Sequence, residues 1–540
     1  MKHSRLTIVF LVAVSLAAQT PRERLEPGLN TIQAAKLRAD LTFLASDALE
    51  GRMSLERGDE AAIQWIAAEF SKAGLKPAVG DSFLQPVPLV EYKMDRQQTM
   101  LKLHVNGAEE TFHAPDANGN YPNDGVYKGK VVFAGFGITA PELNYDDYSG
   151  IDARGKVVLV FNHEPQEDDE KSIFNGKGNT RYANARAKMM IAEQHGAVAL
   201  LIAPDPNHKP GNQRGPLDAG GRGSESLRTP RPTQAIADET SIPVFNVSAK
   251  VAGDLLAVTG KSPSALQASI DATLKPVSSA LGDAEAELDV MTSSRKRALS
   301  YNVAGIVEGS DPRLGLETVL FSAHHDHDGL RIDGAIYHGA DDNGSGTVGI
   351  VALAHAFAAN PVKPKRSLLL IVFAAEERGL LGAYYYASHP LRPLETTRAQ
   401  INFDMIGRNE KDSAQTHGLN DIAGDTSNEV NIIGTKYSPD YRASVEKANE
   451  FVGLHLNYKW DQDTVLNVLF RSDQYPMLMH NIPAMWWFTG FHPDYHQVTD
   501  TADKINYAKM EKILKLAYLT GFDFADTAKP PKFYAAGAPR

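Results

Sequence analysis

Four short apolar runs, at 318–322, 367–374, 399–405 and 484–488, recur along the C-terminal half of the chain, separated by segments with helical spacing. Runs this short and nearly continuous read as strands buried on both faces, because a half-exposed strand would alternate apolar with polar residues. Helix starts are expected near Ser345, Leu380, Asp440 and Asp473. A last helix from Ala502 places Ile505, Met510, Ile513, Leu514 and Ala517 on one side. The alternation implies an α/β fold: a mixed, mostly parallel sheet with helices on both faces. Such sheets bind ligands at the carboxyl ends of their strands. The chemistry is therefore sought there.

The N-terminal half is organised differently. Leu37, Leu41 and Leu44 mark one amphipathic helix, and Ile63, Ile66 and Phe70 a second that ends at Gly74, with a loop at 48–52 between them. From Pro122 short β-branched runs follow glycines, at 129–132 and 155–158. A helix near 185–195, a strand at 197–202, a Gly-, Pro- and Arg-rich loop at 204–232 and a strand at 242–247 come next. We divide the chain into a first catalytic part at 25–121, an inserted small α/β domain at 122–274, a second catalytic part at 295–525 and a tail at 526–540. Residues 1–17 read as a signal peptide, since Lys2 and Arg5 precede an apolar stretch too short to span a bilayer. The expected location is periplasmic or secreted, with no membrane contact once the signal is removed.

Composition then narrows the chemistry. None of the 540 residues is cysteine. This excludes disulfides, a thiol nucleophile and thiolate metal sites, so any metal must be held by nitrogen and oxygen. The net charge of −11 becomes −13 when Lys2 and Arg5 leave with the signal, which argues against nucleic acid as a partner.

The strand ends carry an unusual set of ligating side chains. The first run leads into His324-His325-Asp326-His327, where extended backbone puts His324 and Asp326 on one side. Asp341 and Asp342 precede the next helix. Glu376 and Glu377 follow the second strand, Asp404 the third, and His496 lies beyond the fourth. Any one of these is an ordinary surface residue by itself. Together, His324, Asp342, Glu377, Asp404 and His496 supply two imidazoles and three carboxylates, which suits two zinc ions bridged by one carboxylate, about 3.5–4 Å apart.

In this order and spacing the motifs resemble the dizinc aminopeptidases, metallopeptidase family twenty-eight. The match runs through Ala323-His324-His325-Asp326-His327, Gly339 to Gly346, Ala374-Ala375-Glu376-Glu377, Asn402 to Gly407, Arg471-Ser472-Asp473 and Tyr495-His496-Gln497. The resemblance implies a phosphorylase/hydrolase-like domain, with 122–274 as an inserted protease-associated domain. It also implies that Asp342 bridges the metals, that His324 and Asp404 complete one, and that Glu377 and His496 complete the other. Glu376 would be the general base acting on the attacking water, Asp326 would orient His324, Tyr495 would donate to the oxyanion, and Arg471 would line the substrate pocket. A cis peptide is expected at Asp342-Asn343. Val498 departs from the proline common two residues after the last histidine.

The expected activity is removal of N-terminal residues from peptide substrates. A glutaminyl-cyclase-like transferase or a carboxypeptidase of the same fold is the alternative, and a ligand-depleted binding module is disfavoured because no ligand is missing. His325, His327, His338, His480 and His492 are read as non-ligands, with His492 for His496 and Asp341 for Asp342 as the swaps to watch. Gly344 to Gly349 fits G-x-G-x-x-G, but a loop separates it from its strand, so it reads as helix-start packing. Oligomeric state is left open.

Overall fold

The computed structural model describes residues 23–207, 233–237, 239, 241–418 and 422–537. The expected signal peptide and most of the 204–232 loop lie outside them. Among the described residues no helix is long and apolar enough to cross a membrane.

The strands of the larger sheet are β1 (Leu84–Met94), β2 (Thr233–Ile236), β3 (Thr292–Val307), β4 (Thr318–His324), β5 (Ser367–Phe373), β6 (Thr397–Phe403), β7 (Glu429–Ile433), β8 (His455–Asn457) and β9 (Ala484–Phe488). Their spatial order is β2-β1-β3-β5-β4-β6-β9-β7-β8, and Lys76–Pro77 adds a tenth short strand against β3. The four expected apolar runs are β4, β5, β6 and β9. They are mutually parallel and adjacent, while β3 and β7 flank them antiparallel. The sheet is thus mixed, with its parallel strands at the centre.

Continuous apolar sequence is what a two-sided core requires. Along β5, Leu368, Leu370 and Val372 face one core, and Leu369, Ile371 and Phe373 the other. The first core is covered by α1 (Ala34–Leu44), α2 (Arg57–Ala73), α4 (Gly346–Ala359), α6 (Pro439–Asn449) and α8 (Tyr507–Asp526). The second is covered by α5 (Leu381–Ser388) and α7 (Gln474–Met479). The last helix starts at Tyr507 and not at Ala502, because Ala502–Lys504 forms a separate 3₁₀ turn and Asn506 caps α8 with its side chain. At the start of α4, a Cβ on Gly346 would meet the Phe403 carbonyl at 2.7 Å and one on Gly349 would meet Leu514 at 2.9 Å. Those glycines serve close packing.

A second, eight-stranded sheet forms its own unit, ordered 108–112, 100–105, 279–290, 125–133, 157–161, 199–203, 244–247, 117–119. It contains the expected strands and α3 (Ala185–Gln194). It also draws in 100–119 and 279–290, and returns β2 to the larger sheet, so it is wider than the 122–274 insertion read from sequence. Residues 279–290 and 292–307 form two long strands. The reason is alternation: Leu281, Ala284, Ala286, Leu288 and Val290 are buried, whereas Glu287 and Asp289 turn outward to Lys102.

The two units are tied by Arg181, which is buried. Its Nη1 donates to the Leu478 carbonyl (3.1 Å) and to Asn481 Oδ1 (2.6 Å) in the first unit, and Nη2 to Glu142 (3.0 Å) in the second. Arg181→Ala would remove the cation paired with Glu142, leaving it the Tyr182 hydroxyl, and would take a donor from the Leu478 carbonyl and from Asn481 Oδ1. It is expected to cost about 3 kcal/mol, read as a lowered thermal midpoint.

Candidate metal centre

Because β4, β5, β6 and β9 run parallel, their carboxyl ends share one edge, and each turn leaving that edge delivers a ligating side chain. His324 ends β4, Glu376 and Glu377 occupy the turn after β5, Asp404 follows β6, and His496 lies in the loop after β9. Asp342 enters from the 340–345 turn before α4. The backbone bends sharply at these points: Ala375, Met405 and His496 hold φ of 53°, 59° and 53°. Left-handed conformations cost side-chain-bearing residues energy and gather where the surrounding fold enforces them. The Asp342-Asn343 peptide is cis, as the resemblance implied.

Two clusters result. In the first, His324 Nε2 lies 3.6 Å from Asp342 Oδ1 and 3.5 Å from Asp404 Oδ1. In the second, His496 Nε2 lies 3.0 Å from Asp342 Oδ2 and 3.5 Å from Glu377 Oε1. Asp342 faces both with different oxygens, the arrangement a bridging carboxylate needs. All of these side chains are buried except Glu377, which is partly so. His324 Nε2 and Asp404 Oδ1 have no hydrogen-bond partner among the described residues. Buried imidazole and carboxylate atoms aimed at one another with no hydrogen bond made at these positions suit a divalent cation between them, and the N/O donor set suits zinc.

The charge balance points the same way. Burial by itself would lower the His324 imidazole, yet the carboxylates of Glu376 and Asp404 hold it well above its ordinary value. His496 is raised in the same sense, chiefly by Glu377 against the effect of burial. The two adjacent glutamates separate: burial pushes Glu376 well up, with His324 opposing, whereas His496 and the hydrogen bond with His327 overcome burial at Glu377 and hold it well below the usual carboxylate range. The surroundings favour the protonated form of Glu376 and the anionic form of Glu377.

Supporting contacts come from several elements. Ser472 Oγ donates to Asp404 Oδ2 (2.6 Å) and accepts from Asn402 Nδ2 (2.8 Å). Asp500 Oδ2 accepts the backbone N–H of Asp341 (2.9 Å) and Asp342 (3.2 Å). Buried Arg52 donates to the carbonyls of His325 (2.9 Å), His338 (2.7 Å) and Gly339 (2.8 Å), joining the loop after β4 to the turn that carries Asp342. Asp326 departs from its expected role. His324 Nδ1 meets the Asp326 backbone carbonyl at 3.1 Å, while the nearer carboxylate oxygen is 3.7 Å away. The Asp326 carboxylate instead accepts the backbone N–H groups of Glu376 (2.9 Å) and Glu377 (3.2 Å), because β4 and β5 are neighbours and their turns meet.

Sequence reasoning missed two residues. Asp328 Oδ2 lies 3.1 Å from His496 Nδ1, and His327 Nδ1 lies 2.8 Å from Glu377 Oε1. His327 also groups with Asp342 and Glu377 as a possible ligand set. The signal was the density of His and Asp directly after His324. Asp341 and His492 face each other at 3.2 Å, outside the candidate ligand groups. His325 is held by Asp59 (2.5 Å) and the Tyr301 carbonyl (3.1 Å), and His338 pairs with Asp47. Arg471 Nη2 donates to the Tyr495 hydroxyl at 3.0 Å, and both line a cleft of about 310 Å³ together with Glu376, Glu377 and His496. Burial raises Tyr495, keeping its O–H available as a donor.

Imidazoles and carboxylates gathered at the edge of a central parallel sheet define the class: an α/β protein with a candidate two-position metal centre. Residues 302–520, which contain every candidate ligand, match the family model of Peptidase family M28. It is 27% identical over 248 residues to leucine aminopeptidase 2 of Arthroderma otae, covering 42% of this chain and 45% of that protein. It is 29% identical over 185 residues to leupeptin-inactivating enzyme 1 of Streptomyces exfoliatus, covering 34% and 40%. The chain thus spans less than half the length of these curated relatives. Among solved structures, an aminopeptidase from Aneurinibacillus sp. strain AM-1 superposes with a TM-score of 0.46 at 18% identity, over 94% of this chain and 97% of that one.

Proposed function

We propose that the protein is an exported, zinc-dependent aminopeptidase holding two zinc ions, acting on peptides in the periplasm or outside the cell. The observation that carries this reading is Asp342 facing His324 with one oxygen and His496 with the other. His324, Asp342 and Asp404 would hold one ion, and Asp342, Glu377 and His496 the second. Bound zinc supplies Lewis acidity to the scissile carbonyl and to the attacking water. Glu376 takes the proton from that water and passes it to the leaving amine, a role its raised proton affinity suits. Tyr495 donates to the oxygen that becomes negative, and Arg471 holds the Tyr495 hydroxyl in place. The eight-stranded unit is read as the protease-associated domain of the family resemblance.

The test is hydrolysis of a panel of aminoacyl anilides by the full chain loaded with zinc. Turnover of free-amine substrates and none of N-acetylated ones is expected. Cleavage confined to N-blocked or C-terminally free substrates would favour the carboxypeptidase alternative, and cyclisation of N-terminal glutamine the transferase. Asp328 supplies a further check. If it fixes the His496 ring so that Nε2 faces the metal, Asp328→Ala should weaken zinc binding about 10–100-fold in a competition titration with a chelator.

A further inference from the structure

We propose that the cleft selects peptides bearing a carboxylate close to the scissile bond, recognised by Arg186 and Arg471; this rests on the aminopeptidase reading above. The cleft is walled by both sheet units. Glu376, Glu377, His496 and Arg471 come from the larger one, and Arg186, in the first turn of α3, from the smaller. With the two glutamates and His496 engaged in metal binding and proton transfer, the remaining charged side chains of the lining are both guanidinium groups.

Each has spare hydrogen-bonding capacity. Arg186 lies over the Tyr384 ring, its Cζ 3.7 Å from the centroid, and one terminal nitrogen pairs with Glu239. Its buried Nε has no hydrogen-bond partner among the described residues. Arg471 uses Nη2 on Tyr495, while its buried Nη1 likewise has none. A buried donor left unmatched is costly, and a guanidinium presents its N–H groups as a planar fork that fits a carboxylate. The Arg186–Glu239 pair does not preclude this. Its side chains are 23% and 31% exposed, so solvent and an incoming anion compete with it. Arg181, tying the units together five residues before Arg186, holds this wall of the cleft in place against the metal edge.

The carboxylate can come from two sources: the C-terminus of a di- or tripeptide, or an Asp or Glu side chain following the cleaved bond. With zinc-loaded full chain, kcat/KM is compared for Leu-Gly against Leu-Gly-amide and for Leu-Glu-amide against Leu-Gln-amide, alongside a leucine anilide. A preference of about tenfold or more for the carboxylate member of a pair is expected, and the pair that shows it identifies the source. Arg186→Gln should shrink that ratio to within about threefold, with Arg186→Lys intermediate. Equal kcat/KM within both pairs, with the anilide still cleaved, overturns the inference and leaves the aminopeptidase reading standing. So does a preference unchanged in Arg186→Gln and in Arg471→Gln. No turnover of any substrate sinks both.

Discussion

Glu376→Gln is expected to lower kcat about 10³-fold while zinc content stays unchanged. Glutamine keeps the size and the acceptor oxygen of Glu376 but cannot take a proton, so the loss isolates proton transfer, worth roughly 10²–10⁴ in rate for a well-placed base. The neighbouring substitution should behave differently. Glu377 is held anionic by His496 and His327, so Glu377→Gln should reduce metal content along with rate. Metal analysis paired with kinetics separates the two. A Glu376→Gln protein retaining more than about a tenth of the activity would remove Glu376 from the role of base, and one that had lost its zinc would reassign it as a ligand.

Removing the metal is expected to abolish turnover and to destabilise the fold. Asp342, Glu376, Glu377 and Asp404 crowd into one site, where His324 and His496 offset their charge and Arg52 acts on Asp342. Ligand linkage sets the scale: zinc at 1,000 times its Kd stabilises the native state by about 4 kcal/mol. The dependence on pH should reverse between the two forms. In the chelated protein, His324 and His496 have folded proton affinities raised above the ordinary imidazole value of 6.5. Their contribution is fully present below pH 6.5 and is lost as pH rises through the raised values. In the zinc form protons compete with the metal for the same nitrogens, so stability conferred by zinc should grow as pH rises through that range. Thermal midpoints with and without chelator across pH 5–9 would show it. Identical midpoints in both forms would count against a metal centre.

How much of this was legible in the sequence differs by level. β4, β5, β6 and β9 were readable because strands buried on both faces must be apolar throughout, which leaves a local signature. The chemical kind of the candidate ligands His324, Glu377 and Asp404 was readable because they stand at the ends of those runs. β3 and the strand at 279–290 were not, since strands with one exposed face carry charges that look like a linker. Pairing within the site was not legible either. Asp326 lies two residues from His324, yet its carboxylate serves the backbone of Glu376 and Glu377. Asp328 reaches His496, 168 residues away. Arg186 enters the cleft from another sheet altogether. The sequence by itself determined the central strands, the donor types at their ends and the resemblance that the motifs carry. Tertiary structure alone decided which side chain faces which, because hydrogen bonds and ion pairs act over a few ångströms, and only the packing of β4 beside β5 and of one unit on the other brings those atoms that close.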